Sequence, residues 1–202
     1  TELVHYESWN AAFRESFGVT MSGDHRQIIG LSLDQFFDKL AQENVLSEEL
    51  TDEQKRNLLE RKTLFFYVIG AQRLEAMPGI NKLILDARKL GWYVAVASRS
   101  RRLRLLRTLT LVGLATPFDL ILATEDVVNE EVDRKEHARA AHVFGIDPAS
   151  CIVIEDSPSG VDDAVLSGIG KVIGLTTSFD RTALLAAGAH DVVDSLRDVV
   201  LE

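Results

Sequence analysis

The chain has 202 residues, 46% of them hydrophobic and 26% charged, and a formal net charge of -9 at pH 7. That acidic balance argues against broad nucleic-acid affinity, which rests on neutralising phosphates with Lys and Arg, but a small phosphorylated ligand needs only a local site. No apolar run approaches the roughly 20 residues that cross a bilayer, no signal-peptide pattern opens the chain, and Cys151, the one cysteine, cannot close an internal disulfide. The expectation is therefore a cytoplasmic protein, monomer or weak dimer, with neither membrane nor nucleic acid as partner.

The first 75 residues read as helical. In HYESWNAAFRESFGV apolar and aromatic positions recur at helical spacing until Gly18 offers a stop, and LSLDQFFDKLAQEN follows with Ser32 placed as an N-cap. TDEQKRNLLERKTLFFYVIGAQRLE forms a long third helix, with Thr51 and Gln54 spaced as a capping box. After MPGI at 77–80 the rhythm changes. NKLILDARKLG predicts an amphipathic helix closed by Gly91, WYVAVAS a short strand, RRLRLLRTLTLVGL a helix, FDLILAT a strand and HARAAHVFG a helix. CIVIE, a helix from Pro158 to Ser167, KVIGL, a helix over RTALLAAG and finally DVVDSL complete the alternation. Strands that alternate with helices require crossover connections, hence a doubly wound parallel sheet covered on both faces.

In such sheets ligands bind beyond the carboxyl ends of the strands. WYVAVAS ends at Ser98 and CIVIE runs out into Glu155 and Asp156, so a hydroxyl and two carboxylates are expected on one rim. Adjacent carboxylates repel one another and are costly to desolvate. A hard cation would relieve both effects, and Mg2+ takes one or two carboxylates together with substrate phosphate. Alternatively, Asp156 or Ser157 simply caps the helix that begins at Pro158. SRSRR, from Ser98, is a hydroxyl-rich turn into a helix whose free backbone N–H groups would favour an anion; an N-cap role for Ser98 is the other reading. Arg99, Arg101, Arg102, Arg104 and Arg107 crowd that helix start against the macrodipole, either beside a phosphate or as a solvated face.

VAVASRS, then HARAAHVFGIDP, then CIVIEDSPSGVDDAVLSGI with KVIGL after it, together resemble the haloacid dehalogenase-like phosphohydrolases. The likeness is strongest to the subgroup with a helical cap inserted after the first strand, which includes sugar phosphatases and β-phosphoglucomutase. TELVHYESWNAAF resembles that subgroup's first cap helix. The resemblance implies a helical cap at residues 5–73 and a Rossmann-like α/β core at 74–202. It also implies Mg2+ held by Glu155 and Asp156, Ser98 bound to the transferring phosphoryl group, Arg99 and Ser100 beside the substrate, and a lysine on the phosphate. His5 and Trp9 match cap positions near the mouth of the site, with a hinge or packing role as the alternative.

The sequence departs from the family's pattern in three places. The D-x-D-G-T-type segment that carries the nucleophilic aspartate and the general acid and base does not occur in these 202 residues, and the cap normally begins just after it. The expectation is that this first strand is missing from the chain as given, through truncation, true degeneration or supply by a partner. Counting back from Gly145 without gaps puts Glu131 at the lysine position, whereas Lys135, beside Arg134, serves only in a shifted register. Leu33 stands where the mutase branch carries a phosphate-gripping arginine, which favours a phosphatase acting on a small phosphorylated metabolite over a mutase. His137, His142 and His190 show no metal-ligand spacing and read as structural. An inactive relative that binds a phosphorylated metabolite or a protein remains the competing reading.

Overall fold

The computed structural model describes residues 2–21, 33–43, 45, 50–126 and 136–201, so Ser32, Glu131, Arg134 and Lys135 lie outside the described residues. The chain divides into two compact units, Thr1–Glu75 and Ala76–Glu202. Among the described residues no helix is long and apolar enough to cross a membrane.

The first unit is helical. Helix α1 spans Glu2–Phe17, α2 Leu33–Gln42 and α3 Asp52–Arg73. Gly18 ends α1 at φ +70°, a conformation that glycine reaches without a Cβ penalty. At α3 the expected capping box is present. The Gln54 N–H donates to Thr51 Oγ1 at 3.2 Å, while the Thr51 N–H donates to Gln54 Oε1 at 2.8 Å. The unit's core is aromatic: Trp9 packs on Phe36 with ring centroids 4.5 Å apart, around the fully buried Phe13 and Leu58.

The second unit alternates as the sequence predicts, with shorter strands. Helix α4 (Ile80–Lys89) precedes β1 (Ala95–Ala97), α5 (Arg102–Leu111) and β2 (Leu120–Leu122). Helix α6 (Glu136–Phe144), β3 (Ile152–Glu155), α7 (Pro158–Leu166), β4 (Lys171–Leu175), α8 (Arg181–Ala186) and β5 (Asp191–Val193) follow. Among the described residues all pairing is parallel, in two sheets: β1 with β2, and β3-β4-β5. This is an α/β, Rossmann-type architecture.

Among the described residues β1 bonds only to β2, and β3 only to β4. The Ser98 N–H donates to Leu122 O and the Val94 carbonyl accepts from Asp119 N, so the alternate groups of Ala95 and Ala97 face the other edge of β1. Cys151 O accepts from Lys171 N, so Ile152 and Ile154 likewise face the second edge of β3. Residues of β1 and β3 are only half-buried, whereas Val172–Leu175 of β4 are buried. Ile80 of α4 packs against two apolar clusters, one built on Ile84, Leu105 and Leu109, which Val96 also meets, and one built on Ile173, Leu175 and Val193, which Ile152 and Ile154 also meet. A single helix thus touches the cores of both sheets.

Asp119 fixes the start of the β1–β2 pair. Its Oδ2 accepts from Arg88 Nη1 at 2.6 Å and from the Val94 N–H at 2.8 Å, and these bonds hold its carboxyl below the usual carboxylate range. A carboxylate whose pKa is depressed by folding stabilises the fold above its unfolded pKa, and the gain is lost as pH falls through the folded value. Thermal melts followed by circular dichroism from about pH 6 to about pH 3 should therefore show a shallower acid decline in Asp119→Asn than in the parent. At neutral pH the variant should be the less stable of the two. Parallel declines would mean that Asp119 makes no folded-state contribution.

Candidate functional site

The rim formed by the carboxyl ends of β1 and β3 holds most of the residues that the sequence singles out. At the end of β3 the duty of capping α7 falls on Ser157, whose Oγ accepts from the Gly160 N–H at 3.1 Å, with Pro158 as the first helical residue. Asp156 is therefore not the cap. Its Oδ2 instead accepts from Thr177 Oγ1 at 2.8 Å and Ser178 Oγ at 2.9 Å, both in the turn after β4. These two hydroxyls orient the carboxylate and leave its other oxygen available.

Glu155 folds back over the first turn of α7. A Cβ built on Gly160 would lie 2.2 Å from Glu155 Oε2 and 2.8 Å from Oε1, so the missing side chain at 160 is what makes room for the carboxylate. His137 Nε2 stands 3.2 Å from Glu155 Oε1. Among the described residues no three His, Cys, Asp or Glu converge as a metal-binding group. Two carboxylates at a strand end, one cradled by a glycine and one steered by hydroxyls, are hard oxygen donors of the kind Mg2+ takes. Such an ion completes its shell with water and phosphate, so the residues present fit it.

At the end of β1, Ser98 Oγ accepts from the Ser100 N–H at 3.1 Å, closing a local turn. It does not cap α5, whose N-cap residue is Arg101, without a side-chain bond. The first helical N–H, that of Arg102, donates to Glu125 Oε2 at 2.7 Å, so a carboxylate of this chain already occupies part of the expected anion position. The arginines are engaged as well. Arg99 Nη2 donates to Asp163 Oδ2 of α7 at 3.0 Å, tying the rim of β1 to the helix after β3. Arg102 pairs with Asp126, and Arg104 Nη2 donates to Ser100 Oγ at 3.2 Å. Asp126 is held below the usual carboxylate range, first by the Ala123 N–H and then by Arg102, against an opposing effect of burial. Neither a purely solvated arginine face nor an empty anion nest describes this loop.

In the helical unit the structure adds a residue that sequence reasoning missed. Lys62 is only 5% exposed, and its Nζ donates to His5 Nδ1 at 2.7 Å. The ammonium lies 5.5 Å from the Trp9 ring centroid and 5.3 Å from that of Phe66, on which His5 stacks at 4.4 Å. The buried ladder of α3 runs Leu58, Lys62, Phe66, Gly70. A lysine on the apolar i, i+4 row is the signal that would have found it, since burying a charge is expensive unless it is used or paired. Lys135 and Glu131 lie outside the described residues, as does the Leu33 side chain. His190 Nδ1 accepts from the Val172 N–H at 2.9 Å, a structural role as expected.

Known proteins resemble this chain in sequence and in fold. The chain is 26% identical over 208 residues to the phosphorylated carbohydrates phosphatase of Thermotoga maritima, covering 99% of this chain and 94% of that protein. It is 32% identical over 141 residues to the bifunctional riboflavin kinase/FMN phosphatase of Arabidopsis thaliana, covering 68% of this chain but 37% of that protein. The crystal structure of CbbY from Rhodobacter sphaeroides in complex with phosphate superposes with a TM-score of 0.76 at 20% identity, over 98% of this chain and 89% of that one. Residues 1–164 match the haloacid dehalogenase-like hydrolase pattern, and the chain belongs to that family.

Proposed function

We propose that this protein is a Mg2+-dependent phosphatase of a small phosphate monoester, of the sugar-phosphate kind. The observation that carries the reading is the division of labour at the end of β3: Ser157 caps the helix, so Glu155 and Asp156 are not needed there and stand as a carboxylate pair at the rim. The phosphatase names of the Thermotoga and Arabidopsis relatives support the reaction class.

In this reading Glu155 and Asp156 hold the cation, which when bound draws charge from the phosphoryl oxygens. Ser98 donates its hydroxyl to a phosphoryl oxygen, and Lys135 adds a positive charge to the same group. Arg99 and Ser100 line its approach, with Arg99 held in place by Asp163. The nucleophilic aspartate of this reading is that of a D-x-D-G-T-type segment, which these 202 residues do not contain. Its carboxylate attacks phosphorus, the alcohol leaves with a proton from the second aspartate, and water then cleaves the acyl phosphate.

The product of the complete coding sequence should release phosphate from at least one sugar-phosphate or similar monoester, and EDTA should abolish the release. No Mg2+-dependent release across a broad ester panel would overturn the proposal. The competing reading is a non-catalytic relative that binds a phosphorylated metabolite or a protein, favoured by Glu131 at the ungapped lysine position. The coding sequence upstream of Thr1 separates the two: a D-x-D-G-T-type segment supports the enzyme, and a stop codon supports the inert relative.

A further inference from the structure

His137, the second residue of α6, is 7% exposed and is the one neighbouring side chain that hydrogen-bonds Glu155 among the described residues. An ionised carboxylate only accepts, so His137 must donate from Nε2–H. The other ring nitrogen, Nδ1, is buried without a hydrogen-bond partner. A buried polar atom left unsatisfied is destabilising, so packing alone gives no reason for a histidine here. An apolar ring of similar size would fill the space without stranding a nitrogen. What the histidine alone supplies is the N–H directed at Oε1.

That bond acts together with Gly160. The glycine leaves the space into which the Glu155 carboxylate folds, and the imidazole bonded to Oε1 limits its rotation. A glutamate has three side-chain torsions, and ordering such a chain costs conformational entropy that is otherwise charged to ligand binding. Hydrogen-bond partners of metal-ligating carboxylates typically account for 10–100-fold in metal affinity. We propose that His137 is a positioning residue for Glu155, pre-setting its carboxylate for a divalent cation; the proposal rests on the reading of Glu155 as a cation ligand. His137 itself is not a ligand in this scheme.

The test uses Mn2+ alone as the probe, a hard-oxygen cation whose free form is read by electron paramagnetic resonance. In the product of the complete coding sequence, His137→Phe should bind Mn2+ about tenfold more weakly than the parent, while its melting temperature holds or rises as the orphaned Nδ1 is removed. His137→Gln, whose amide nitrogen takes the place of Nε2, should recover most of the affinity. If His137→Phe fails to fold, His137→Leu replaces it. Parent-like affinity in the apolar variant, or a Gln variant as weak as the apolar one, overturns the positioning role. Glu155→Gln separates the two levels. If it loses Mn2+ while His137→Phe does not, only the present inference fails; if the parent binds no Mn2+, or Glu155→Gln binds it equally well, the cation reading fails with it.

Discussion

Replacing Asp156 by Asn should reduce Mg2+-dependent phosphate release about a hundredfold while leaving the fold intact, because a metal ligand contributes several kcal/mol of transition-state stabilisation. Asp156 accepts two hydroxyl hydrogen bonds, from Thr177 and Ser178, through one oxygen. The amide oxygen of Asn can accept the same two bonds, so the turn after β4 keeps its anchors. What disappears is one of the two negative charges at the end of β3. The measurement is an initial-rate series against Mg2+ concentration, with a melting curve on the same preparation. The expected result is a higher Mg2+ requirement and a lower maximal rate with a melting temperature close to the parent's. An unchanged Mg2+ dependence would remove Asp156 from the cation site, and a large fall in melting temperature would assign it to the fold instead.

The alternation of strands and helices was legible because apolar periodicity is local. KVIGL reads as a buried strand and becomes β4, buried from Val172 to Leu175. The Thr51–Gln54 capping box is also contained within four residues and appears as read. Strand length was overread: WYVAVAS contributes only Ala95–Ala97 to pairing, because hydrophobic composition does not say where a partner strand ends. The rim was legible as a place, since parallel strands bring their carboxyl ends together, but its bonds were not. Arg99 reaches Asp163 across 64 positions and Arg102 reaches Asp126 across 24, and no spacing rule announces either pair. His137 shows the same limit. With no metal-ligand spacing it reads as a structural residue, and it is buried, but its contact with Glu155 depends on how α6 lies against the end of β3. Lys62 is different in kind. Its position on the apolar row of α3, four residues from both Leu58 and Phe66, is local and therefore readable in the sequence.

Gly160→Ala offers a test in which stability and function should move in opposite directions. Gly160 is the third residue of α7, its backbone is in ordinary helical conformation, and its N–H is held by Ser157. Alanine is favoured over glycine inside a helix by about 1 kcal/mol, so the substitution alone should hold or raise the melting temperature. The new Cβ, however, would lie 2.2 Å from Glu155 Oε2 and 2.4 Å from Cδ. Those atoms end a flexible side chain, so the conflict resolves by expelling the carboxylate from its cradle rather than by moving backbone. Gly160→Ala should then match Glu155→Ala in Mg2+-dependent turnover, about a hundredfold below the parent by the same ligand-loss argument. Glu155→Ala should show no gain in stability. The comparison requires rates across a Mg2+ titration and melting curves for the three proteins side by side. A Gly160→Ala enzyme with parental Mg2+ affinity would show that the folded-back carboxylate is not the form that binds the cation, and the roles of Glu155 and of His137 beside it would both have to be given up.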